Sequence, residues 1–189
     1  IKIDVTHTIV EIEGDSFKVT EFYQLVNEGD STYIGTDGVL TFTFPEGAYN
    51  FEAPEEMIED YQPLGNNRIT YLVAFPPGER QLVYSYRLEK PKADESSISF
   101  MVDYPTDNYE IMIAGTDIEV TVNQLAPAEP VITDTGVRYI HFRGENLARD
   151  TVITLHLYGL YGSNGFPLVI LWVIIAVVIL GWASYLIVR

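Results

Sequence analysis

His7, His141 and His156 are the three imidazoles of this sequence, and 27 Asp and Glu residues surround them. Together they could bind a transition metal or move protons, if folding brought two rings and a carboxylate to one point. The spacing does not require it. No two histidines stand at i, i+2 or i, i+4. His7 falls on the stripe Ile3, Val5, His7, Ile9. His141 shares a face with Val137 and Tyr139, and His156 with Thr154 and Tyr158. The expectation is three unrelated strand histidines. An envelope hydrolase would need them to converge with carboxylates in one cleft.

The carboxylates form two clusters: Glu52, Glu55, Glu56, Glu59 and Asp60, then Asp103, Asp107 and Glu110. Either could bind calcium or hold a glycosidase pair. Neither has the alternating ligands around a central glycine that an EF-hand requires, so solvated loop carboxylates are the plainer reading. No serine lies in G-x-S-x-G and no glycine-rich phosphate loop occurs. Cysteine is absent. That excludes disulfides, thiolate metal sites, covalent haem attachment and a cysteine nucleophile. The sequence therefore assigns no catalytic residue, cofactor or metal, and the chain reads as a non-enzyme.

Tyrosine is the residue in excess, at thirteen. A large ring with one polar tip suits partly wet contacts between proteins. Tyr49, Tyr61, Tyr104 and Tyr109 fall in or beside expected loops and are the candidate interface residues. The plainer alternative is strand propensity. Ten of the eleven Lys and Arg, and every Asp and Glu, precede Gly165. A body so acidic repels nucleic acid and anionic lipid, leaving cations, basic protein faces and neutral ligands as partners.

These side chains must be held by strands. Apolar residues alternate with period two at Leu40, Phe42, Phe44; at Ile69, Tyr71, Val73, Phe75; and at Leu82, Tyr84, Tyr86, Leu88. The same period recurs at Ile98, Phe100, Val102, at Ile118, Val120, Val122 and at Ile153, Leu155, Leu157. The stripe Phe17, Val19, Tyr23, Leu25 is broken by Glu21. Turn signals separate the runs, among them Glu13-Gly14-Asp15, Gly65-Asn66-Asn67 and Thr135-Gly136. About ten or eleven short strands predict an all-β, Ig-like β-sandwich. It would be either two small packed units, 1–93 and 94–160, or one larger domain. Residues 52–61 could form at most a short helical turn. Residues 90–95 and 126–130 read as connectors.

Residues 167–188 carry no charge. As a helix they would be about 33 Å long, enough to cross a hydrocarbon core of about 30 Å. Residues 161–166 form a hinge, and Pro167 suits a helix start. Trp172 near one end, and Trp182 with Tyr185 near the other, are placed as interfacial aromatics. Ala176 and Gly181 are small enough to let a second helix approach, although no GxxxG occurs. Arg189 follows the run, and the positive-inside rule puts it in the cytoplasm and the acidic domain outside. The expected location is single-pass in the plasma membrane, the bulk periplasmic or extracytoplasmic, after removal of a signal peptide. The lack of cysteine and of glycosylation sequons favours a bacterial or archaeal envelope.

Residues 19–48 (VTEFYQLVNEGDSTYIGTDGVLTFTFPEGA) and 74–88 (AFPPGERQLVYSYRL) resemble membrane-anchored bacterial envelope proteins. That group carries an Ig-like or carboxypeptidase-regulatory-like β domain and is associated with membrane redox or cytochrome c biogenesis systems. The resemblance implies an accessory or scaffold subunit whose partners are other membrane-complex subunits, redox or cytochrome-related. It transfers no catalytic residue. The alternative is a stand-alone anchored binding module for carbohydrate, peptide or ion.

Overall fold

The computed structural model describes residues 1–35, 38–115, 118–134 and 136–161. Thirteen strands fill most of them. They are β1 Lys2–Glu13, β2 Ser16–Asn27, β3 Leu40–Thr43, β4 Tyr49–Glu52, β5 Tyr61–Gly65, β6 Arg68–Tyr71 and β7 Gly78–Glu89. β8 Glu95–Met101, β9 Thr106–Ala114, β10 Glu119–Val122, β11 Ala126–Ile132, β12 Arg138–Leu147 and β13 Val152–Tyr158 follow. The fold is all-β, as the alternation requires. A single turn of 3-10 helix, Ile58–Asp60, sits in the acidic stretch.

The strands make three sheets: a seven-stranded one ordered β11-β12-β9-β1-β2-β7-β4, and two of three strands, β10-β13-β8 and β3-β6-β5. All neighbours are antiparallel except β1 and β9, which run parallel. One buried cluster draws on all three sheets, with Phe17, Val19 and Ile111 from the large one and Phe42, Ile98 and Leu155 from the small ones. Each such side chain contributes about 1.5–3 kcal/mol when fully buried. The architecture is sandwich-like, with the large sheet as one layer. A boundary near residue 93 would run through that layer, because β1, β2, β4 and β7 precede it and β9, β11 and β12 follow it.

Two departures from the simple alternation have physical causes. Residues 126–130 form strand β11, not a connector. Its prolines, Pro127 and Pro130, are tolerated because β11 is the sheet's edge and donates to one neighbour only. The β11–β12 register shifts between Ala128 and Val131, beside Pro130. In β1 the register with β2 shifts between Ile3 and Val5, so Asp4 is bulged out. A one-residue shift inverts every later side chain. Ile3, Thr6, Thr8 and Val10 are buried, whereas Val5, His7 and Ile9 lie on the opposite face, half-buried. The expected stripe Ile3, Val5, His7, Ile9 is therefore split between the two sides of the sheet.

Turn chemistry follows expectation. Asn66 and Asn67 both take positive φ, 51° and 56°, the pair a tight β5–β6 hairpin needs. Gly38 has φ 114°, and a Cβ there would lie 1.8 Å from Thr70 Oγ1, so both backbone and space demand glycine. Among the described residues no helix is long and apolar enough to cross a membrane. The expected span 167–188 lies outside the described residues, as do Pro167, Trp172, Ala176, Gly181, Trp182, Tyr185 and Arg189.

Candidate functional site

Both faces of the seven-stranded sheet carry a carboxylate among ring side chains, and they differ in everything else. On the inner face, Glu21 of β2 stays in the core stripe that it was expected to break. It is 3% exposed. The register sets it beside Thr8 on β1 and Tyr84 on β7. Three phenols satisfy it. Tyr86 donates to Oε1 at 2.7 Å, Tyr84 to Oε2 at 3.0 Å, and Tyr23 also to Oε2. Phe42 of β3 packs 4.8 Å from the Tyr23 ring and 5.8 Å from Tyr84, and Phe44 4.8 Å from Tyr86. Burial raises the Glu21 carboxyl above its usual range, the three hydroxyls oppose that rise, and nearby Asp103 adds to it. Burial and the Glu21 charge hold the hydroxyls of Tyr84 and Tyr86 well above the ordinary phenol value. The cluster can hold a proton and fix strand register. None of the cavities described below is lined by Glu21.

The outer face brings together two of the three histidines. Glu110 on the interior strand β9 pairs with His7 of β1, and β12 on its other side supplies His141. Glu110 Oε2 lies 3.4 Å from Nε2 of each ring. His7 also stacks on Phe22, centroids 5.9 Å apart. His141 Nδ1 lies 3.1 Å from the Glu129 carbonyl. A carbonyl can only accept, so Nδ1 carries the hydrogen and Nε2 faces the carboxylate. The convergence corrects the expectation of three unrelated histidines. The bulge at Asp4 produced it, by turning His7 outward. His156 stays apart on β13, opposite Thr121 and Ser97. The carboxylate stands between the rings, and among the described residues no group of three is placed to hold a metal ion. The site can share protons and form ion pairs. The row flanking Glu110 offers Phe22, His7 and Arg143.

Between the two small sheets runs a seam, because β3 and β8 are both sheet edges. At one end side chains close it: Thr43 N–H and hydroxyl donate to the Asp103 carboxylate at 2.7 and 2.8 Å, and Thr41 N–H donates to the Tyr104 hydroxyl at 2.9 Å. A cavity of about 550 Å³ lined by Asp103, Tyr104 and Arg149 lies there. Burial raises Asp103, and the Thr43 bonds work against the rise. The other end is a cleft of about 560 Å³ over Phe17 and Leu88, walled by Ser96, Ser97 and Ser99 on β8 and by residues 45–47.

Of the candidate interface tyrosines, the fold presents one freely. Tyr49 is exposed on edge strand β4. Tyr104 is half-buried in the seam. Tyr61, 7% exposed, packs on Phe51 and Tyr71, so it belongs to the core. Tyr109 is 3% exposed, its hydroxyl 2.9 Å from that of Thr8. Those two are corrected to structural roles, because they fall on inward strand positions and not on loops. Sequence reasoning missed the Glu21 site. Its signal was present: Tyr23, Tyr84 and Tyr86 lie on the same apolar stripes that Glu21 interrupts, and phenols are the donors that a buried carboxylate needs.

No family model and no curated protein matches the sequence. Among solved structures, the crystal structure of a "putative protease" from Parabacteroides distasonis ATCC 8503 is similar at 10% identity and a TM-score of 0.49. The match covers 83% of this chain and 40% of that one, so this chain spans less than half the length of its neighbour.

Proposed function

We propose that this chain is a non-catalytic accessory or scaffold subunit of a membrane protein complex. An acidic, Ig-like β-sandwich docks or covers partner subunits outside the membrane, and residues 167–188 anchor it. One observation carries the reading: a 22-residue run without charge, 167–188, follows a domain that holds all 27 acidic residues. Such a run suits a hydrocarbon core. The placement of Arg189 favours an extracytoplasmic domain in the plasma membrane. The acidic surface would steer basic partners, small cytochromes among them, at rates that fall with salt. Gentle solubilisation of native membranes followed by sizing tests this. Co-migration with other subunits is expected, and migration as a free monomer overturns it.

The second reading is a stand-alone anchored binding module. The open cleft over Phe17 and Leu88 favours it, since a hollow of that size with an apolar floor and a serine wall suits a small sugar or peptide. Loss of ligand-induced stabilisation on Ser97→Tyr would locate the ligand there.

A further inference from the structure

The end of the sandwich from which the chain leaves is shaped differently from its flanks. Tyr161 is the last described residue of the chain. Its N–H donates to the Asp94 carboxylate at 3.0 Å and its hydroxyl to the Pro91 carbonyl at 2.7 Å. Lys90 Nζ sits 4.2 Å from the centre of its ring. The exit point is thus tied to the β7–β8 connection. That connection in turn meets the β1–β2 turn through Lys90 N–H and the Asp15 carbonyl, 3.0 Å apart.

The β11–β12 hairpin ends at this same pole, because Tyr139 pairs with Ala114 on β9 and its hydroxyl donates to Glu11, near the end of β1. The hairpin's last pair places Ile132 opposite Arg138, with Val137 adjacent. Ile132 is 67% exposed and Val137 43%. Tyr158 and Tyr161 are exposed at the same end. An edge hairpin that leaves aliphatic residues bare at its tip is unprotected against association, which strand edges normally guard against.

We propose that this pole rests on the lipid interface, with Ile132 and Val137 entering it and Tyr158 and Tyr161 at headgroup level. The inference depends on reading 167–188 as a membrane span. Given that span, residues 162–166 reach at most about 18 Å when extended, so the exit pole cannot stand far from the bilayer. Aliphatic tips below and phenols at the polar boundary is the arrangement an interface selects. The occupant is a neutral, zwitterionic surface. Acidic residues, Asp15, Glu89, Asp94, Glu95 and Glu119 among them, outnumber Lys90, Lys92 and Arg138 at this end, which leaves no excess of positive charge for anionic lipid.

The absence of cysteine makes the test clean. Ile132→Cys, Val137→Cys and, at the opposite pole, Ile34→Cys are each introduced singly into the full chain and labelled with an environment-sensitive fluorophore. Each protein is reconstituted into phosphatidylcholine vesicles with and without lipid-borne nitroxide quencher. Quenching at 132 and 137 at least about twofold above that at 34 is expected. Equal quenching at both poles, in protein that floats with the vesicles, overturns this inference and leaves the anchor standing. Protein that fails to float overturns the anchor and the inference with it. Emission at 132 that shifts with protein density but not with quencher means that a second copy covers the hairpin, and also overturns it.

Discussion

The inner and outer faces of β1, β2 and β9 solve one problem in opposite ways. Each holds a carboxylate next to aromatic rings. Inside, Glu21 is sealed under Phe42 and Phe44, and its oxygens are met by phenols that stay neutral across the physiological range. Outside, Glu110 remains partly exposed and meets two imidazoles, each with Nε2 3.4 Å from its Oε2. Burial selects the donor. A sealed carboxylate needs partners that add no second charge to desolvate, while a half-open one can share protons with solvent. The inner cluster should therefore act on stability and the outer one on surface electrostatics.

Deleting the inner acceptor should have the largest effect. Glu21→Ala leaves three buried hydroxyls without their acceptor and opens a hole, a loss of about 3–5 kcal/mol in urea unfolding. A loss below about 1 kcal/mol would show that the face is wetter than described.

The second prediction concerns sign. Folding raises the Glu21 carboxyl above its unfolded value of 4.5. The native state then holds the proton more tightly, so this group's contribution falls as pH rises upward from about 4.5. Asp103 shifts in the same direction and adds to the trend. Glu21→Gln should flatten the stability–pH curve, so that wild type gains stability relative to the variant on acidification. A parallel curve would break the assignment.

Removing one donor is gentler. Tyr86→Phe should cost about 1–2 kcal/mol in the same unfolding assay, and Glu21→Gln combined with Tyr86→Phe should cost less than the sum of the two single changes.

On the outer face the effects shrink. His141→Gln should change stability by less than about 1 kcal/mol, because Glu110 is partly exposed and keeps His7 beside it. A metal chelator should leave the melting temperature of the protein unchanged. A chelator-sensitive melt would show that His7, Glu110 and His141 close on an ion after all, and would end the contrast between the faces.

Much of this was legible in the sequence, and the exceptions share a cause. The stripes at 82–88, 98–102 and 153–157 face the core as their alternation requires. Period two is a local property and survives any topology. The fates of His7 and Glu21 are not local. His7 turned outward through a bulge four residues from the start of the chain, and Glu21 stayed inward because phenols from β2 and β7 meet it there. Pairing of β1 with a strand about a hundred residues later leaves no short-range trace. Strand β11 was hidden because its prolines argue against a strand everywhere except at an edge, and edge position is itself topological.

The placement of β1 also dictates when the molecule can be finished. Strand β1 lies in the middle of the seven-stranded sheet, with β9 on one flank and β2 on the other. During synthesis the hairpin of β1 and β2 can zip early, but its other edge must wait, unpaired and ready to aggregate, until residues 106–114 have emerged. Closing so long a loop before any reward is what makes such topologies slow. Refolding should be correspondingly slow, and a nascent chain stalled near residue 93 should need a holdase.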